Sequence, residues 1–315
     1  MIPELLTEKL RPKDLKHVIL PQRIKSSFED GLKQNVLLAG SPGTGKTTMA
    51  KILIKGHPYL FINVSDESSV ETVRTKINDF CSTVSILDGE NQTKIVVLDE
   101  FDGASDQFYK ALRGTIEKFA KGTRFVATCN YLNKIPEAMR SRFELYDFDP
   151  INKQEEEEIS SQWNERVSRI LSAMGISHSE NTLDVFSKKY YPDMRSALNC
   201  IQRWDIDGVS ELSESKINEE FFVNEEIFEI IFSNPDPVKN YQLIVGQYSS
   251  KVDEVLNSLS SDFIKWISEK KPEKQSMIPA VIITVAKYQS ERNLVIDSVV
   301  SLLACIFTLQ QLANK

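Results

Sequence analysis

The sequence is poor in the residues that build metal centres and disulfide frameworks. Its 315 residues include only four cysteines, Cys81, Cys129, Cys200 and Cys305, and three histidines, His17, His57 and His178. No two cysteines form a CxxC pair and the histidines lack metal-ligand spacing, which argues against a zinc module and fits reduced thiols in a cytosol. A clean apolar run is missing too. The most apolar stretch, residues 294–312, could span a bilayer by length but holds Asp297, Ser298, Ser301, Thr308, Gln310 and Gln311. The cost of such residues in lipid favours a helix buried in a protein assembly. The start, MIPELLTEKLRPK, has no apolar signal-peptide core, so the expected location is the cytoplasm. There is no basic excess either: 45 Asp/Glu stand against 38 Lys/Arg, a net charge of −7. A surface coated all over in nucleic acid is thereby excluded. The imbalance lies in one half, since residues 1–150 hold 21 Lys/Arg and 20 Asp/Glu and residues 151–315 hold 17 and 25. A polyanionic partner is expected to meet the first half.

What is present is a folded chain, 41% hydrophobic and 26% charged, long enough for two or three domains. Between residues 35 and 150, short apolar β-branched runs at 36–39, 60–64, 95–98, 124–128 and 145–148 alternate with helical stretches at 47–55, 70–82, 105–120 and 137–141. That alternation predicts an α/β fold with a parallel sheet covered on both faces. Beyond Pro150 the strand signal disappears. Helices are expected at 153–174, 181–189 and 195–203, broken by Gly175 and Pro192, and again from about Asn224 onward. The expected organisation is an α/β domain at 1–150, a small helical domain at 151–223 and an all-helical C-terminal domain at 224–315.

Two motifs carry chemistry. The loop Gly40, Ser41, Pro42, Gly43, Thr44, Gly45, Lys46, Thr47 follows an apolar strand and opens a helix that continues with Thr48. It matches GxxxxGK[ST] in the strand–loop–helix setting that the motif requires. Small residues let backbone N–H groups curl around phosphate, the helix N-terminus adds positive potential, Lys46 adds a full charge, and the Thr47 hydroxyl suits Mg²⁺. The second motif is the strand IVVL ending in Asp99 and Glu100. Asp99 is placed to hold the metal's water shell, and Glu100 to polarise an attacking water as general base. An adjacent acidic pair of this kind suits an ATPase that activates water.

With these motifs in place the chain resembles an AAA+ ATPase, more closely a sliding-clamp loader. It is similar to the small subunits of replication factor C and to the large ATPase subunit of T-even-type phage clamp loaders. The segment around Arg11 and Pro12 resembles the family's KYRP stretch, with Leu10 in place of the aromatic, and Val18, Ile19 and Leu20 fall where the family packs adenine. Asn63 resembles the polar residue that restrains the catalytic Glu. Asn130, at the end of the fourth strand, matches sensor 1. Arg142 stands in the arginine-finger place of an SRC-like motif whose Cys is Phe143, and acts in the family on the neighbouring subunit's ATP. Arg195 matches sensor 2, reaching its own γ-phosphate from a lid helix. Arg74 falls where the family contacts the template backbone, Lys76 beside it, and Arg113 lies in a segment like ALRR with Gly114 as the last residue. For each basic residue alone a solvated ion pair is the plain alternative. Residues 83–89, with Ile86 and Leu87, resemble the region that in the family inserts into the clamp, ordinary packing against the sheet being the plain alternative.

The resemblance implies ATP and Mg²⁺ as cofactors and an α/β domain followed by a lid and an oligomerising collar. Its implied partners are primer–template DNA bound without sequence preference, a sliding clamp, further copies of this chain, and a distinct small subunit in a pentamer. A phage-encoded form would work in the bacterial host cytoplasm, in viral DNA replication. Two alternatives share these residues: a branch-migration or other DNA-remodelling AAA+ ATPase, and a non-catalytic structural ring subunit.

Overall fold

The computed structural model describes residues 5–83, 93–219, 222–232, 237–249, 252–291 and 297–314. The proposed clamp-inserting residues Ile86 and Leu87 lie outside them. The chain divides into two compact units, Met1–Leu212 and Ser213–Lys315.

The first unit is built on five parallel strands: β1 (Val36–Ala39), β2 (Tyr59–Asn63), β3 (Lys94–Asp99), β4 (Thr123–Cys129) and β5 (Glu144–Asp147). Their order is β2-β3-β4-β1-β5. The three central strands are apolar almost throughout because both faces are covered, and the period-2 alternation of a strand sorts their side chains. Leu37, Val96, Leu98, Phe125 and Ala127 enter one core with Phe108, Leu112 and Ile116 of α6 (Asp106–Lys118) and with Val73 and Ile77. Val36, Leu38, Ile95, Val97 and Val126 enter the opposite core with Ile24 of α2 (Gln22–Ser27) and Met49, Ala50 and Leu53 of α3 (Lys46–Leu53). Each fully buried side chain of this size contributes about 1.5–3 kcal/mol. The edge strands β2 and β5 are partly exposed.

The helix expected at 70–82 forms in three pieces: α4 (Val70–Thr72), a wide π turn (Val73–Ile77) and α5 (Asn78–Ser82). A short α1 (Leu6–Lys9) precedes the sheet, and α7 (Glu137–Arg140) precedes β5. Then come α8 (Lys153–Ala173), α9 (Glu180–Tyr190) and α10 (Met194–Ile206). The side chains of Asn152, Ser179 and Asp193 cap these three helices by accepting backbone N–H groups of the first turn. Ile159, Trp163, Val167, Ile170 and Leu171 form the buried stripe of α8, spaced as an amphipathic helix requires.

Among its described residues the second unit is helical: α11 (Glu214–Glu219), α12 (Phe222–Phe232), α13 (Pro237–Tyr248), α14 (Val252–Ser260), α15 (Asp262–Lys270), α16 (Ile278–Glu291) and α17 (Ser298–Ala313). The apolar stretch near the end of the sequence is the centre of this core, where Leu302, Cys305, Ile306 and Leu309 are buried. Its polar residues are accommodated by hydrogen bonds: Ser301 Oγ donates to the Tyr288 carbonyl at 3.1 Å and Gln310 Nε2 to the Ile230 carbonyl at 2.8 Å. No helix among the described residues is long and apolar enough to cross a membrane.

Candidate nucleotide-binding site

All five strands run the same way, so their carboxyl ends share one edge of the sheet, the usual place for a ligand in an open α/β fold. A cleft of about 260 Å³ opens there. After β1 the chain turns through Gly43 (φ 79°) and Gly45 (φ 96°) into α3. A Cβ on Gly43 would lie 1.9 Å from Asp193 Oδ1, so positive φ and close approach both require glycine here. Lys46, the first residue of α3, is buried, and its Nζ donates to the carbonyls of Gly40 and Ser41 at 2.8 Å each. Burial pulls its pKa below the ordinary ammonium value, opposed chiefly by the Asp149 carboxylate. The Ser41 amide and hydroxyl both donate to Asp149, which fastens the loop to the chain just beyond β5.

The acidic pair stands at the end of β3. Asp99 Oδ1 accepts two hydroxyls, Thr47 Oγ1 at 2.9 Å and Thr128 Oγ1 at 2.6 Å. Glu100 lines the cleft with its backbone in the left-handed region (φ 56°), the one non-glycine residue with positive φ among the described residues. Its N–H donates to Thr128 Oγ1 at 3.1 Å. Such backbone strain gathers where surrounding structure holds a functional side chain in place. Asp102 Oδ2 accepts the amides of Asn130 (3.3 Å) and Tyr131 (3.0 Å), tying the turn after β3 to the end of β4. Cys129, also in the cleft wall, has its thiol pKa pushed up to about 12, first by burial and then by Asp102.

The cleft is lined further by Leu10, Arg11, Pro12, His17, Val18 and Ile19, and by Arg166, Met194, Arg195 and Leu198 of the later helices. Arg11 pairs with Glu8 and donates from Nη1 to Thr48 Oγ1 at 3.3 Å. Arg166 on α8 reaches across to the carbonyls of Leu10 (2.6 Å) and His17 (3.4 Å). Burial lowers its pKa. Asp193 Oδ1 accepts the amides of Arg195 (3.0 Å) and Ser196 (3.1 Å), so the residue that abuts Gly43 also caps the helix carrying Arg195.

Of the residues nominated from sequence, Arg11, Pro12, Val18, Ile19, Pro42, Gly43, Thr44, Gly45, Lys46, Thr47, Thr48, Glu100, Asn130 and Arg195 all line this cleft. Asp99 lies buried behind Thr47. Ser41, held by Asp149, does not line it, and neither does Leu20. The Leu20 side chain is buried in the core with Ile24 and Phe28. Asn63 Oδ1 accepts the Ser65 amide at 3.0 Å, a bond within its own turn. Arg142 is not part of the cleft wall; it pairs with Glu117 of α6 and donates to the Ala138 carbonyl. Arg74 and Arg113 are exposed on neighbouring helices joined by the Thr115–Asn78 hydrogen bond at 3.3 Å. Lys76, also exposed, is paired with Glu67 at 2.5 Å. Sequence reasoning missed Thr128, Asp149, Arg166 and Asp193 as parts of the site. Only Asp193 carried a signal, as a capping residue at the head of the Arg195 helix.

Fold and site together make a P-loop nucleotide-binding α/β domain, its cleft at the carboxyl edge of a parallel sheet. Residues 36–150 match the model of the ATPase family associated with various cellular activities (AAA). The chain is 33% identical over 215 residues to the replication factor C small subunit of Sulfurisphaera tokodaii, covering 65% of this chain and 63% of that protein. It is 35% identical over 211 residues to the replication factor C small subunit of Sulfolobus acidocaldarius, covering 63% and 62%. The matches thus span a little over three fifths of these relatives' length. A solved structure of Thermotoga maritima RuvB superposes with a TM-score of 0.55 at 17% identity, covering 82% of this chain and 88% of that one, a likeness of fold.

Proposed function

We propose that this chain is an ATP-hydrolysing subunit of a DNA sliding-clamp loader. The observation that carries the reading is the meeting of Lys46, Thr47, Glu100, Asn130 and Arg195 in one cleft, with Asp99 behind Thr47, in a chain similar to replication factor C small subunits. A magnesium nucleotide fits these residues. Lys46 heads a helix at a glycine-rich turn, which suits a triphosphate. The Thr47 hydroxyl and Asp99 carboxylate are adjacent hard oxygen donors, which suit Mg²⁺. A metal held there would supply charge neutralisation to the nucleotide's phosphates.

The chain's own residues do the rest. Lys46 and Arg195 neutralise the phosphates from two sides, and Val18 and Ile19 flank the base. Glu100 accepts the proton of the attacking water, which Asn130 orients. Arg142, outside its own cleft, serves the nucleotide of an adjoining copy, so turnover depends on assembly. A guanidinium in that role is worth ~10³–10⁵ in rate. Exposed Arg74 and Arg113 meet the backbone of primer–template DNA, whose binding is then salt-dependent and sequence-independent. The second unit serves as the assembly collar, with a distinct small subunit completing a pentamer in the host cytoplasm. ATP binding opens the clamp, and DNA-triggered hydrolysis releases it.

The test is ATP turnover with and without clamp and primed DNA. Mixing Glu100→Gln with Arg142→Ala subunits is expected to restore turnover that each lacks alone. Equal residual rates, mixed and unmixed, would refute a shared site.

A further inference from the structure

Thr128 joins two residues that the mechanism needs and is assigned no part in it. It is the sixth residue of β4, and strand alternation turns it away from the core that takes Phe125 and Ala127. For strand formation alone valine would serve equally well, since both are β-branched and of similar shape. Its hydroxyl nonetheless both donates and accepts. It donates to Asp99 Oδ1 at 2.6 Å and accepts the Glu100 N–H at 3.1 Å, in a residue 3% exposed. One oxygen atom therefore fastens both members of the acidic pair to the neighbouring strand.

The second bond matters more. Glu100 is a non-glycine residue in the left-handed region, a conformation that persists only where its surroundings over-determine it. The direction in which its side chain leaves the backbone is set by that φ. On the carbonyl side the same turn is held by Gly103 N–H donating to the Glu100 carbonyl at 2.9 Å. On the amide side the partner is the Thr128 hydroxyl. Asp99 has a second hydroxyl, Thr47 Oγ1, so losing Thr128 would cost Glu100 its amide anchor while Asp99 keeps one donor.

We propose that Thr128 is a positioning residue for hydrolysis, its hydroxyl fixing the Glu100 backbone so that the carboxylate faces the reacting water. This rests on the ATPase reading above. The experiment compares full-length Thr128→Val, Thr128→Ala and Thr128→Ser with the parent protein, assembled with clamp and primed DNA. The valine and alanine variants are expected to lose about 10- to 100-fold in kcat, the scale of a small misplacement of a reacting group. Their ATP affinity, measured by equilibrium binding, should stay within about threefold, and the serine variant should recover most of the rate. In a Glu100→Gln background, Thr128→Val should add almost nothing, because the group it aims is already gone.

Parental kcat in both hydroxyl-free variants would overturn the proposal. So would a serine variant as slow as valine, or full additivity with Glu100→Gln. If the parent shows no Lys46-dependent turnover, the ATPase reading fails and this proposal falls with it. Normal parental turnover with an indifferent Thr128 overturns the proposal alone.

Discussion

Replacing Gly43 by alanine tests the close approach on which the phosphate loop and the Arg195 helix depend. The added Cβ would stand 1.9 Å from Asp193 Oδ1, 2.5 Å from its Cγ and 2.8 Å from its Cα. A flexible side chain could swing aside, but the Cα belongs to backbone, so the segment itself must shift. Two costs follow. Alanine at φ 79° is disfavoured by roughly 1–2 kcal/mol. Displacing Asp193 removes its bonds to the Arg195 and Ser196 amides, a helix cap worth about 1 kcal/mol. The sum, roughly 2–3 kcal/mol, corresponds to a fall of roughly 5–10 °C in melting temperature for a unit of this size. Gly114→Ala is the control. A Cβ there meets nothing within 4 Å, and a helix-interior alanine should stabilise by about 0.5–1 kcal/mol. Asp193→Ala should cost the cap alone. Combined with Gly43→Ala it should be less than additive, because the carboxylate clash is gone while the backbone of residue 193 still crowds the added methyl. The assay is thermal unfolding of each variant. A Gly43→Ala protein that melts at or above the parent would refute the close approach.

Lys46→Ala should abolish ATP binding in a filter assay, and retained affinity would count against the phosphate loop. Arg166→Met removes both bonds to the Leu10 and His17 carbonyls; it should weaken ATP affinity about 5- to 30-fold with a smaller change in kcat, as separate binding and turnover measurements would reveal. Arg74→Glu should lower DNA-stimulated turnover and spare the DNA-free rate, whereas equal loss of both would remove Arg74 from the DNA surface.

The central sheet was legible because strands covered on both faces leave an unbroken apolar signature, as in Ile95-Val-Val-Leu98. Edges were less so. Phe148 reads as strand because it is apolar, and its amide does bond the Ala39 carbonyl at 2.8 Å, yet β5 ends one residue earlier. The phosphate loop and acidic pair stood out because their spacing answers to chemistry that ordinary packing does not imitate. The supporting residues were hidden for the opposite reason. Thr128 looks like any β-branched strand residue, Arg166 like a solvated position on a charged helix, and Asp149 like a carboxylate ending a strand. Their roles arise from bonds to residues far along the chain, Asp149 with Ser41 and Arg166 with Leu10, which no local pattern encodes.

The wide turn at Val73–Ile77 makes the helix that bears Arg74 sensitive to length as well as to composition. A π turn accommodates one residue more than an α-helical turn, and each residue advances an α-helix by about 100°. Whatever follows is rotated by that step relative to a regular continuation, and in that setting Asn78 reaches Thr115 on α6 while Arg74 stays outward. Excising a single residue here would re-index the far half of the helix, turning Asn78 off its partner with every chemical group still present. Side-chain swaps at the same positions would leave that phase intact, so a deletion and a substitution at one site would have different consequences.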